Sequence, residues 1–332
     1  MRAMILNTTG QPLEPVELPV PQPGKNEVLI RVTACGVCRT DLHLVDGELP
    51  DIHVPVIPGH EIVGEVVDAG PDALLEPGMR VGIPWLGWTC GDCVFCRIHK
   101  ENLCEHARFT GYQLDGGYCE YTTADYRYCI PVDKVTSAEQ LAPLLCAGLI
   151  GYRCLKIADT LCLHNEKIGL FGFGAAAHIL AQIIIHRGSN FFAFTRPHDL
   201  DAQQFAYRLG ATWAGGSDQV LPDRLDCAII FAPTGNLVPC ALHSVRKGGA
   251  VVCGGIHMSD IPSFPYASLW GERQISSVAN LTRKDGAEFF EVLGQIPVQT
   301  HIHRYPLSEA NRALEDLRYG RLNGAAVLMV RE

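Results

Sequence analysis

One stretch limits the fold more than any other. Ile168-Gly169-Leu170-Phe171 is a short apolar run, Gly172-Phe173-Gly174-Ala175-Ala176-Ala177 follows at once, and an apolar helical run extends from His178 to Arg187. A second strand-like run, Asn190 to Thr195, comes next, then a helical run from Asp199 to Leu209 that Gly210 stops. Ala228 to Phe231 and Ala250 to Cys253 continue the alternation. Strands alternating with helices bury both faces of a parallel sheet, so this part of the chain is predicted to be α/β, a Rossmann-type doubly wound sheet. The turn after its first strand reads as a dinucleotide site. Gly172 and Gly174 permit the tight turn and close approach of a pyrophosphate, Ala175 opens the helix, and Ala177 stands where the pattern accepts alanine for its third glycine. The helix N-terminus adds amide donors and a favourable dipole.

The nicotinamide type turns on the end of the second strand. About 20 residues past the glycines, NAD sites place an acidic residue on the ribose diol. Here that place holds Thr195, followed by Arg196. A hydroxyl does not repel a 2′-phosphate and a guanidinium can pair with one. The expectation is therefore NAD(P) with a lean to NADP, with Asp199 or Asp201 as the residues that would serve NAD instead.

The N-terminal part has another texture. Glu27 to Thr33, Ile62 to Val67 and Arg80 to Ile83 read as strands, with Pro19, Pro21, Pro23 and Gly24 marking a loop. Residues 117–133 return to strand-like alternation, Cys146 opens a helical run toward Ala158, and Ser308 is the expected N-cap of a helix that ends at Gly320. A chain of 332 residues suggests two domains. The division is expected near Cys146. With 47% hydrophobic residues there is ample core, and no apolar run reaches the roughly 18 residues of a membrane span. A formal charge of -9 disfavours a nucleic-acid partner. The N-terminus lacks the apolar region of a signal peptide, so a cytoplasmic location is expected.

Most of the 14 cysteines are scattered among apolar residues, but four cluster. Cys90, Cys93 and Cys96 are spaced by two residues each, and Cys104 follows after seven more. Four thiolates at this spacing can close a tetrahedral shell around one zinc, with no open position, which is a structural site. Free thiols or a small redox relay are the alternatives. A second set is dispersed. Cys38 and His60 are suitable zinc ligands, at about 2.3 Å for the sulfur and about 2.0 Å for the nitrogen. Cys146 is a third candidate, and three protein ligands leave the open position of a catalytic zinc.

These residues, in this order over nearly the whole chain, resemble the medium-chain, zinc-dependent alcohol dehydrogenase family. That family is itself the reference case for a catalytic zinc held by two cysteines and one histidine. The resemblance implies a β-rich GroES-like catalytic domain at 1–147 with a structural-zinc lobe at about 88–106, a dinucleotide domain at 148–282, and a return to the catalytic domain at 283–332. It implies two Zn²⁺ per chain and hydride transfer between a zinc-bound alkoxide and the nicotinamide. By the same resemblance Thr40 takes the alcohol proton and His43 delivers it to water, Asp41 orients His60, Glu61 sits behind the zinc, and Arg39 meets the cofactor pyrophosphate. The bland alternatives are a local backbone hydrogen bond for Thr40, a packed histidine for His43, a turn cap for Asp41, a salt-bridged carboxylate for Glu61 and a solvated Arg39. One departure stands out. Many relatives carry an arginine after the glycine near the C-terminus, and here the run is Gly324-Ala325-Ala326-Val327.

Trp85, Leu86 and Trp88 resemble pocket-wall positions, and Leu49 stands where some relatives have tryptophan. The expected substrates are primary alcohols and aldehydes, medium-chain and aromatic ones included, and the expected assembly is a homodimer or homotetramer. Three other readings compete. A zinc polyol dehydrogenase commonly has glutamate in place of the third zinc cysteine. A zinc-free reductase of the same fold would lack both ligand sets. A zinc-ribbon scaffold protein would leave the dispersed ligands and the glycine turn unexplained.

Overall fold

The computed structural model describes residues 1–162, 164–221, 223–296 and 298–330. The chain divides into two compact units. One comprises residues 1–146, 280–291 and the C-terminal segment from Gln299, and the other residues 147–279 with 292–298.

The first unit is built on one long strand, Glu27–Val37. Val28 to Ile30 are buried, Arg31 to Thr33 alternate half-buried and buried, and Ala34 to Val37 are buried without a break. Burial on both faces carries the strand past the run that β-propensity alone marks. The sheet order is Ile302–Pro306, Ala325–Met329, Glu27–Val37, Glu61–Ala69, Arg80–Ile83, Ile130–Pro131, with Tyr121–Asp125 also paired to the long strand. Val28, Ile30, Val32, Ile62, Val66, Val81 and Ile83 lie in its core. Gly36 pairs with Glu61 across the two central strands. That register sets Cys38, just past the end of one strand, beside His60, just before the start of its neighbour.

The second unit is a six-stranded, wholly parallel sheet. Its order is Trp213–Gly216, Asn190–Thr195, Lys167–Phe171, Leu225–Ile230, Val245–Cys253, Gln274–Ser277. The earliest strand is thus central and the chain winds outward in both directions, the doubly wound α/β arrangement with its switch point at the end of Lys167–Phe171. Phe171 and Phe194 stack at 4.0 Å in the adjoining core. Helices Ala175–His186 and Leu200–Arg208 return the chain to the sheet. Asp199 caps the latter by accepting from the Ala202 N–H.

Two expectations need correction. Ser308 does not cap the C-terminal helix. It lies inside a 3-10 turn, Leu307–Glu309, and the helix starts at Ala310. Pro306 and Leu307 lead the chain in through that tighter turn, where the serine hydroxyl makes no cap bond. In the region 117–133 the strands are only Tyr121–Asp125 and Ile130–Pro131. Tyr118 is held instead by a buried hydrogen bond described below. Among the described residues no single helix is long and apolar enough to cross a membrane.

Candidate metal centres and dinucleotide turn

Cys38 is the N-cap of the short helix Arg39–Asp46, and Cys146 ends a 3-10 turn, Ala142–Leu145. The fold brings their sulfurs to 3.6 Å. The ligand atoms of Cys38, His60, Glu61 and Cys146 all lie within 4.8 Å of one another. The Cys146 contact, with burial opposing and His60 assisting, holds the Cys38 thiol well below its ordinary value. The same contact, together with burial, pushes Cys146 well up.

His60 is 1% exposed. Its Nδ1 is 3.2 Å from Asp41 Oδ1, and its Nε2 is buried with no hydrogen-bond partner. Burial works to lower its pKa, but Asp41 and Cys38 together outweigh that and hold it well above the usual imidazole value. A buried polar nitrogen without a partner is costly. With Nδ1 donating to the carboxylate, a metal that displaces the proton on Nε2 would find the neutral form in which imidazole binds. Two thiols and one such nitrogen suit Zn²⁺ in charge and softness. The residues therefore fit the ion.

Asp41 is the anchor of this arrangement. It is 1% exposed and also accepts from the Cys38 N–H at 2.8 Å, the Gly59 N–H at 3.3 Å and the Tyr118 hydroxyl at 3.1 Å. Tyr118 is fully buried, and burial first, then the Asp41 charge, pushes its phenol pKa well up. Sequence reading missed Tyr118, because a contact across 77 positions leaves no local signal. Behind the cluster, Gly36 makes the room that Glu61 occupies. A Cβ there would meet Glu61 Oε2 at 1.7 Å. Thr40 places its hydroxyl 3.7 Å from Cys38 Sγ. His43 is 7% exposed, with Nδ1 2.5 Å from the Glu48 carboxylate. Arg39 is exposed at the first position of the helix.

The four-cysteine lobe is a different construction. Cys93 caps a single helical turn, Val94–Arg97, which carries Cys96, and Cys104 follows the 3-10 turn Glu101–Leu103. The four sulfurs lie within 4.8 Å of one another. Backbone amides led by that of Cys96 hold the Cys93 thiol at about 7, while Asp92 pushes Cys90 up to about 12. The lobe is tied down by Glu101, which is buried and accepts from the Arg283 backbone N–H at 2.9 Å and from its Nε at 3.3 Å.

In the second unit Gly172 has φ +91°, a conformation that favours glycine. Gly174 caps the helix Ala175–His186, and a Cβ added to it would meet nothing within 4 Å. Ala177 is buried. The first-turn amides have no intrahelical acceptor and open onto that clear space, so the turn fits a pyrophosphate. At the second strand end the two expected residues part ways. Thr195 is 4% exposed, and its hydroxyl lies 2.9 Å from the Arg196 carbonyl and accepts from Gln203 Nε2 at 3.1 Å. It is therefore committed inside the fold, which corrects its place among cofactor contacts. Arg196 is exposed, with Asp199 at 3.5 Å.

The expected pocket wall is also revised. Leu86 is 1% exposed and belongs to the core. Trp88 lies under the Arg108 guanidinium at 5.4 Å. Trp85 stacks on Phe109 at 4.1 Å, with its ring 6.3 Å from that of His60. Leu49 is half-buried against the core of the first unit.

Residues 24–134 match the family model described as the alcohol dehydrogenase GroES-like domain. The chain is 45% identical over 326 residues to the probable alcohol dehydrogenase AdhA of Mycobacterium tuberculosis (strain CDC 1551 / Oshkosh), covering 96% of this chain and 93% of that one. Among solved structures it is similar to the acetophenone reductase of Geotrichum candidum in complex with NAD, with a TM-score of 0.85, 27% identity, and coverage of 99% and 96% of the two chains. It also shares the fold of the Helicobacter pylori CAD complexed with NADP(H), with a TM-score of 0.86, 22% identity, and coverage of 99% and 97%.

Proposed function

This chain belongs to the medium-chain alcohol dehydrogenase family, and from that premise we propose that Cys38, His60 and Cys146 hold a catalytic zinc at which primary alcohols and their aldehydes are interconverted. As a member of that family it is an NAD(P)-dependent alcohol dehydrogenase acting on a small-molecule alcohol. The proposed range is medium-chain and aromatic substrates, with Trp85 beside the site. When bound, the zinc lowers the pKa of an alcohol oxygen and the nicotinamide accepts hydride.

The chain's own residues do the rest. Two thiolates against one divalent cation leave the centre nearly neutral, which tempers its acidity. Asp41 fixes His60 with Nε2 free to bind. Thr40 is placed to take the alcohol proton as it gives up its own, and His43, beside the Glu48 carboxylate whose side chain is 46% exposed, is placed to release a proton to water. Glu61 stands behind the ligands and could serve as a further oxygen donor to a bound zinc. Cys90, Cys93, Cys96 and Cys104 hold a second, structural zinc. Gly172, Gly174 and Ala175 receive the pyrophosphate, Ala177 lets the helix pack closely on the sheet, and Arg39 is a further contact. Arg196, as the exposed cation at the second strand end, favours NADP. A homodimer or homotetramer in the cytoplasm completes the reading. A polyol dehydrogenase is disfavoured by the cysteine at 146.

The observation that carries the proposal is the orphaned Nε2 of His60 within a cluster that also contains two sulfurs. The test is zinc content per chain together with titrations by NADPH and NADH on one preparation. Two zinc ions, one of them lost in Cys38→Ser, support it. One zinc that Cys38→Ser leaves in place sinks the catalytic assignment. A large NADH advantage sinks the NADP preference.

A further inference from the structure

The first unit contains a cavity of about 390 Å³, which none of the proposed ligands of either metal centre lines. Its size falls in the range of small-molecule sites. Ile130, Leu281 and Phe290 give it an apolar wall, and Arg127, Tyr128 and Arg283 give it a polar end. The two guanidinium groups both pack on Tyr128, at 6.0 Å for Arg127 and 5.6 Å for Arg283. Each is already held by its inner edge. Arg127 gives Nε and Nη2 to Asp125, and Arg283 gives Nε to Glu101. Nη1 of Arg127 and both terminal nitrogens of Arg283 make no hydrogen bond among the described residues. Two planar donor groups, fixed by stacking and ion pairs, therefore present spare N–H bonds beside an apolar slot.

We propose that this cavity is a binding site for a small amphipathic carboxylate, with an aromatic or aliphatic body against Phe290 and Leu281 and its carboxylate on Arg127 and Arg283. A carboxylate matches the fork of a guanidinium, and an alcohol or amide of the same shape does not. Fixing each arginine in advance lowers the entropy cost of closing on the ligand. Glu291 also lines the cavity, and Asp125 and Glu101 offset charge on the inner edges. Long-range attraction is therefore weak, and selectivity comes from the short charged hydrogen bonds. Affinity is expected in the range of about 0.1–1 mM.

The test uses the holoenzyme and 4-fluorobenzoate, followed by fluorine NMR in the presence of saturating alcohol substrate, with 4-fluorobenzyl alcohol as the neutral control. The expected result is saturable binding of the acid that alcohol does not displace, weakened at least roughly tenfold in Arg127→Met and in Arg283→Met. Because Arg283→Met also removes the Nε donor to Glu101, Ala287→Trp gives a second route. That residue lines the cavity, is exposed, and is a member of neither ion pair. It is expected to abolish acid binding and leave turnover of alcohol unchanged. Displacement of the acid by alcohol, equal binding of the neutral control, absence of saturable binding, or wild-type affinity in Arg127→Met and Ala287→Trp would each overturn the proposal.

Discussion

The two cysteine clusters are made of similar ligands and built in opposite ways. In the lobe, four thiols come from 15 consecutive residues, on a single helical turn and the loops beside it. In the other centre, the three candidate ligands span residues 38 to 146: strand register sets Cys38 beside His60, and the 3-10 turn Ala142–Leu145 delivers Cys146. The lobe is written into the local chain, so the ion itself can gather it. The dispersed centre is written into the sheet, and a buried carboxylate with four donors holds it in shape. A metal is thus expected to be part of the fold in the first case and a guest of the fold in the second.

The most direct way to break this contrast is to remove one ligand from each centre. His60→Ala is expected to reduce kcat/KM by about 10³-fold, since several kcal/mol of barrier lowering is lost, while thermal unfolding shifts little. Retention of substantial activity would mean the dispersed cluster is not the reaction centre. The next effect in size comes from Asp41→Asn. Its amide has one acceptor oxygen where the carboxylate had two, and its NH₂ must face either the Cys38 N–H and Tyr118 hydroxyl or the Gly59 N–H and His60. Zinc retention in the dispersed centre is expected to fall about 10–100-fold, with kcat/KM in step. Unchanged zinc dissociation would show that the histidine needs no such support.

The lobe should answer differently. Cys104→Ser is expected to lower the unfolding temperature by roughly 5 °C or more while leaving kcat per folded molecule within about twofold. A tenfold loss of kcat with an intact melting curve would reverse the roles of the two centres.

What could be read in advance follows the same division. The lobe, the glycine turn and the parallel rhythm were legible because each is a short-range pattern: a ligand spacing, a strand running into a helix, a period. The strand Asn190–Thr195 and the Asp199 cap follow from residues beside them. Cys146 could be named as a candidate from its residue type, but nothing near it says that it will meet Cys38. The inward turn of Thr195 and the pairing of His43 with Glu48 depend on side-chain packing that periodicity does not encode. Ser308 misled because a capping residue type was matched without the turn that precedes it.

The smallest expected effect is the sharpest test of the anchoring idea. Tyr118 touches none of the candidate ligands directly and reaches the centre only through Asp41 Oδ2. Tyr118→Phe keeps the ring that packs in the core and deletes one hydrogen bond to a buried carboxylate, worth about 1.5 kcal/mol or somewhat more. Asp41 would keep its other three donors, so its position should hold. The expected outcome is a melting point lower by a few degrees, kcat unchanged within about twofold, and zinc loss from the dispersed centre faster than wild type but slower than in Asp41→Asn. A merely structural tyrosine would lower the melting point and leave zinc release unaltered. A tyrosine on which the centre depended would match the aspartate variant. Only the intermediate result fits a carboxylate whose four hydrogen bonds share the task of holding His60.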